Sequence, residues 1–70
     1  MDKTEIERRF VYHPPNDQTR AFHDAIRADM LAFAEKMNIL LPDESREKSL
    51  FFTALEEASF WSHAHIARNM

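Results

Sequence analysis

Apolar side chains recur at helical spacing in the middle of the chain. Intervals of three or four residues place them on one face of a helix and predict an amphipathic helix over residues 18–38. Asp17 precedes this segment and is a candidate N-cap, because its carboxylate can accept a hydrogen bond from a backbone N–H of the first turn. The members of the stripe are Phe22, Ile26, Met30, Phe33 and Met37.

A second helix is predicted to run to about Arg68. Pro42 cannot continue the first helix, and Asp43 or Ser45 can cap the second. Because the connection is short, we expect the two helices to form an antiparallel hairpin. No repeat, low-complexity segment or second domain is visible, so the predicted fold class is all-α, with residues 1–70 in a single domain.

The second helix carries more large apolar side chains than one face can bury. At about 100° per residue, Phe52 and Phe60 fall outside the arc that a single hairpin is expected to cover. We therefore expect this helix to pack on its hairpin partner with one face and on other subunits with the rest. The arc consists of Leu50, Ala54, Ala58, Trp61 and His65, with Phe51, Leu55 and Ile66 on its flank.

The first 16 residues predict an arm. A short helix is possible at Thr4–Arg9, and the prolines of the following YHPP stretch favour an extended, stiff backbone around Tyr12 and His13. An aromatic ring on such an arm can stack on a nucleic-acid base. It can equally serve as a hydrophobic plug that closes one end of the hairpin, and the spacing alone favours the plug.

Composition excludes several classes of function. The chain has no glycine, which removes the phosphate-binding loops of nucleotide-binding folds. Its formal net charge is −3, and no basic run exceeds two residues, so duplex nucleic acid is not an expected partner. No apolar stretch is long enough to span a membrane, and no secretory leader is visible. The absence of cysteine excludes disulfides and thiolate zinc sites and fits a reducing, cytosolic compartment.

A chain of 70 residues can bury only a marginal hydrophobic core, so self-association is the expected source of further stability.

The sequence gives little support for metal binding or catalysis. His63 and His65 are two residues apart and point to nearly opposite sides of a helix, whereas ligand pairs on helices need three or four residues of separation. The adjacent Glu56 and Glu57 are typical of a solvated helix edge. We therefore expect no enzyme activity, no metal and no cofactor.

Four blocks of sequence carry a resemblance to a known family: RRFVYHPP near the start, and SREKSL, ALEEASFW and HIARN near the end. Together they resemble the phage-encoded anti-CBASS sponges, small helical-hairpin proteins that bind cyclic oligonucleotide signals. The sponges directed against Thoeris defence share a similar hairpin domain. The resemblance implies a homohexamer of hairpins that acts in the cytoplasm of the infected bacterial host.

The resemblance also implies two kinds of ligand site. In the first, which binds a cyclic dinucleotide between subunits, Tyr12 matches the base-stacking tyrosine and Arg27 a phosphate-contacting residue, with further candidates on the arm. In the second, which binds a cyclic trinucleotide, the matching residues come from the C-terminal block. The dinucleotide set is Tyr12, Arg27, His13 and Arg9. The trinucleotide set is Arg68, Asn69 and His65.

The chain departs from the family pattern at several bulky residues. Phe51 and Phe52 stand where small side chains are usual, and His63 and His65 stand in a segment usually rich in Ala and Asn; this bulk can narrow or close the second pocket. The resulting prediction is a protein that sequesters cyclic oligonucleotides without cleaving them, and so blocks CBASS signalling. The alternative is a small oligomeric helical module that docks on another protein through its surplus apolar surface.

Overall fold

The chain folds into three helices and no strands. The computed structural model describes residues 1–70. Helix α1 extends over Lys3–Phe10, one residue beyond the predicted segment at each end. The two long helices predicted from apolar spacing are confirmed: they are α2, Asp17–Leu40, and α3, Arg46–Asn69. These two pack against each other.

The helix N-termini are set by side chains that accept backbone hydrogen bonds. Asn16, and not Asp17, caps α2: its Oδ1 accepts from the Thr19 N–H at 2.9 Å, and Thr19 Oγ1 accepts from the Asn16 N–H at 2.9 Å. The prediction of Asp17 was wrong by one residue, because asparagine is an equally good cap and Thr19 supplies the reciprocal bond. Of the two candidates for α3, Ser45 is the cap and accepts from the Lys48 N–H at 2.9 Å.

The contact between α2 and α3 uses part of the predicted apolar stripe. Ile26, Met30 and Met37 are half-buried along it, whereas the other two members of the stripe lie at its edge and remain partly exposed. One of these, Phe33, meets Phe51 of α3 with ring centroids 6.3 Å apart. This arrangement supplies aromatic and aliphatic packing without a deep core.

Helix α3 turns a different face towards α2 from the one expected. Leu50 and Trp61 are 56% and 63% exposed, whereas Phe52 is half-buried and meets Phe51 edge-on at 5.3 Å. The prediction that Phe52 lies outside the covered arc was therefore wrong. At 3.6 residues per turn, the side of α3 that packs on α2 lies about 120° around the helix axis from the predicted arc. Apolar residues occur on almost every side of α3, so periodicity alone does not select the packed face. Phe60 is 65% exposed, as predicted.

The molecule is a thin plate of 47 × 30 × 12 Å, and its thickness is that of a single helix. Thr19, Lys48 and Ile66 are its buried residues, and Ile66 is the apolar one, at 7% exposure. The accessible surface is 5752 Å², about 1,200 Å² more than a compact protein of this mass presents. None of the three helices combines the length and apolar character that a bilayer crossing requires.

Candidate ligand-binding clefts

Two clefts carry nearly all the residues that the sequence singled out for ligand binding. The first, between α1 and the last two turns of α3, has a volume of about 520 Å³ and is called the arginine cleft. The second, between the arm, α2 and α3, has a volume of about 430 Å³ and is called the histidine cleft. The arginine cleft is lined by Glu5, Arg8, Arg9, Phe10, Trp61, Ala64, His65, Arg68 and Asn69. The histidine cleft is lined by His13, Pro15, Arg20, His23, Asp24, Arg27 and His63.

The arginine cleft is assembled by hydrogen bonds between α1 and the C-terminal turn of α3. Arg8 donates to the Asn69 side-chain oxygen, and Arg68 donates to the Arg9 backbone carbonyl at 3.5 Å. Asn69 in turn donates to the His65 carbonyl at 3.1 Å, which fixes its amide. The guanidinium groups of Arg8, Arg9 and Arg68, which come from two helices, therefore line one cleft.

Glu5 is the carboxylate that faces these arginines. Arg9 Nε donates to it at 2.9 Å, and the Arg8 guanidinium lies 3.9 Å from its other oxygen. The hydrogen bond from Arg9 is the main reason that the pKa of Glu5 lies below its usual value, with burial opposing the shift and the charges of Arg9, Arg8 and Arg68 adding to it. Three cations against one anion leave the cleft with a positive excess, which suits a phosphate-bearing ligand.

The histidine cleft begins where the arm folds back on α1. The Arg8 backbone carbonyl accepts a hydrogen bond from His13 Nε2 at 3.1 Å, which fixes the tautomer of that ring and the position of the arm. On α2, Arg27 donates to Asp24 at 2.7 Å and lines the cleft. His23 and His63 approach each other with their Nδ1 atoms 2.6 Å apart.

The environment of His63 lowers its affinity for a proton. Burial lowers the pKa of its ring below the usual value, and the neighbouring His23 and Arg27 charges lower it further. The ring is therefore held neutral at neutral pH. The neutral ring of His63 can donate or accept in its contact with His23, according to its tautomer.

The structure divides the predicted dinucleotide set between the two clefts. Arg27 and His13 line the histidine cleft, whereas Arg9 lines the arginine cleft. The Tyr12 ring lines neither cleft and is 78% exposed. It therefore does not plug the hairpin in this chain, and its face is free to meet a ligand or a second subunit.

The predicted trinucleotide set stays together. Arg68, Asn69 and His65 all line the arginine cleft. Of the four bulky residues expected to narrow the second pocket, only His65 lines the arginine cleft. Phe51 and Phe52 pack near the α2–α3 connection, and His63 lines the histidine cleft. The bulk of Phe51 and Phe52 therefore does not narrow the arginine cleft.

Sequence reasoning missed several lining residues. Trp61 had a usable signal, since it lies four and seven residues before His65 and Arg68 and therefore shares their side of a helix. The contact between His23 and His63 had no such signal, because 40 residues separate the two and only the packing of α2 on α3 joins them.

Comparison with known families gives one match across this region. The family model described as Acb2/Tad1, hairpin domain, matches residues 2–67. That range contains all of the histidine cleft and the arginine cleft up to, but not including, Arg68 and Asn69. No curated protein and no solved structure matches the chain.

Proposed function

Since the chain belongs to the Acb2/Tad1 hairpin-domain family, the anti-CBASS and anti-Thoeris sponges, we propose that it sequesters cyclic oligonucleotides and so blocks CBASS signalling. The resemblance that the sequence carried is confirmed, and with it a sponge-like binding of signalling molecules. The proposal adds the ligand class, cyclic dinucleotides and trinucleotides, and binding without cleavage. Its place of action is the cytoplasm of the infected bacterial host.

The observation that carries the proposal is the meeting of three arginines and two aromatic rings in the arginine cleft. Guanidinium groups match phosphate oxygens in a fixed, forked geometry, and aromatic faces stack on bases. A chain without glycine has no close backbone cradle for phosphate, so side chains must do this work. We assign a cyclic trinucleotide to this cleft, where Arg8, Arg9 and Arg68 can each face one of its three phosphates.

We assign a cyclic dinucleotide to the histidine cleft. Arg27 and His13 lie in it, and the bond from His13 to the Arg8 carbonyl fixes the segment of the arm that carries Tyr12, the next residue in sequence. In this arrangement Arg27 contacts a phosphate and Tyr12 stacks on a base. Tyr12 is exposed enough to do so without any change in the hairpin.

The assembly in the proposal is a homohexamer of antiparallel hairpins. Two contacts support the antiparallel arrangement: His23, early in α2, meets His63, late in α3, and Phe33, later in α2, meets Phe51, earlier in α3. The surplus surface of the plate supports self-association. Trp61 stands both at the rim of the arginine cleft and on the exposed face of α3, so a second copy packed on that face would close the cleft.

One experiment separates sequestration from hydrolysis and from a protein-docking role. The protein is mixed with a panel of cyclic dinucleotides and trinucleotides, thermal unfolding is followed, and the nucleotide is recovered after heat denaturation. A bound ligand at 100 times its dissociation constant should add about 2.7 kcal/mol of stability and return intact. Linear products would refute binding without cleavage. The absence of any shift would refute the sponge and favour the protein-docking module.

A further inference from the structure

The His23–His63 contact is an edge-to-edge pair of imidazoles. The Nδ1 atoms are 2.6 Å apart, while the ring centroids are 4.8 Å apart and the planes differ by 18°. In a face-to-face stack the two distances would be nearly equal. Here the centroid separation exceeds the nitrogen separation by about one ring width, so the nitrogen edges point at each other and share a hydrogen.

Such a pair has a defined capacity for protons. In the neutral pair, one ring donates its Nδ1–H to the Nδ1 lone pair of the other, and the donor ring keeps a free lone pair on Nε2. A proton from solvent can add to that Nε2 without breaking the shared bond, which becomes charge-assisted and stronger. A second proton would occupy the accepting Nδ1 and break the contact.

The charges around the pair decide whether the first proton is bound. The cleft is lined by three charged residues of α2, Arg20, Asp24 and Arg27, and by His13 of the arm. Asp17 and Asp24 partly offset the two arginines, at 3.3 and 2.7 Å. From α3, His63 is the titratable residue that lines the cleft. Of these groups, the Arg27 guanidinium is the one whose charge opposes protonation of His63 as long as no anion is present.

We propose that the His23–His63 pair takes up one proton when a phosphodiester anion binds in the histidine cleft, so that binding is tighter in mildly acidic than in mildly alkaline solution. The inference rests on the assignment of a cyclic dinucleotide to this cleft. An anion beside Arg27 offsets the repulsion between Arg27 and a proton on His63, and the pair then contributes a cation of its own. By linkage, the proton and the nucleotide each strengthen the binding of the other.

Isothermal titration calorimetry tests the linkage with cyclic di-AMP, cyclic di-GMP and cyclic GMP–AMP as probes. Affinity should rise roughly fivefold to tenfold from about pH 8 to about pH 6, since each unit of pKa rise on binding gives up to tenfold. Buffers of different ionisation enthalpy should report uptake approaching one proton. NMR titration of the assigned histidine ring signals should show the pKa of His23 or His63 rising when the probe is added.

The double variant His23→Asn/His63→Asn keeps two polar side chains but has no proton site, and should lose the pH slope. The control Glu57→Gln changes a titratable side chain that lines neither cleft and should retain the slope. Equal affinity at both pH values without proton uptake would overturn the inference and leave the sponge standing. A pKa rise at His13 alone would also overturn it, even if the double variant fails to fold. No binding of any probe at either pH would overturn both the inference and the dinucleotide assignment.

Discussion

Replacing Trp61 with glutamate should dissociate the proposed assembly. Trp61 is 63% exposed in the single chain. A tryptophan buries up to about 250 Å², so its exposed part corresponds to roughly 150 Å², worth about 4 kcal/mol per subunit at 25 cal/mol per Å². A glutamate forfeits this contribution and adds the cost of burying an unpaired charge. Both terms are repeated in every subunit, so the effect on a hexamer is multiplied.

Sedimentation velocity and light scattering at micromolar concentration measure the outcome, with circular dichroism reporting helix content. The wild type should be an oligomer, the Trp61→Glu variant should be smaller, and the control Trp61→Phe should stay assembled because it keeps most of the apolar area. A monomeric wild type would refute the inference from surplus surface to assembly. A Trp61→Glu variant that assembles like the wild type would show that this face of α3 is not the interface.

Four further predictions concern the clefts and can be checked with single substitutions. Tyr12→Ala should cost about 1 to 3 kcal/mol of dinucleotide binding by calorimetry, as expected for lost base stacking, while the melting temperature of the free protein stays unchanged; a drop in that temperature alone would favour a packing role. Arg27→Ala should weaken dinucleotide binding and flatten its salt dependence. Arg68→Ala should weaken the binding of a trinucleotide only. The reverse pattern would exchange the ligands assigned to the two clefts. Glu5→Gln should tighten trinucleotide binding several-fold, because it removes the carboxylate that competes with phosphate for Arg9; weaker binding would mean that Glu5 is needed to position the arginines. Because folding lowers the pKa of His63, the unfolded chain binds the proton more tightly than the folded chain. The free energy of unfolding should therefore fall as the pH drops below about 6.5. Denaturant titrations from neutral to acidic pH should show this fall in the wild type and a smaller one in His63→Asn.

The sequence predicted the helices well because their signals are local. The spacing from Phe22 to Met37 and the break at Pro42 are enough to place α2 and α3. The packed face of α3 was not predictable in the same way. Phe52 and Trp61 are both large and apolar, and the choice between them depends on the surface that α2 presents, which periodicity along α3 does not describe.

The same distinction holds for the clefts. The grouping of His65, Arg68 and Asn69 follows from helical spacing, so the sequence alone could place them together. The addition of Arg8 and Arg9 required the docking of α1, which depends on hydrogen bonds between residues far apart in sequence. Residues joined only by tertiary contacts left no pattern for sequence reasoning to find.

Because the molecule is only one helix thick, the proposed assembly makes stability and binding capacity depend on the concentration of the protein. A chain 12 Å thick has almost no interior of its own, so in the proposed assembly its folded state would draw stability from neighbours, and that contribution would grow with chain concentration. If a second copy completes each cleft, binding capacity rises more than proportionally with the amount of protein made. Such a binder has a threshold: it holds little signal when scarce and gains capacity abruptly once enough copies have accumulated.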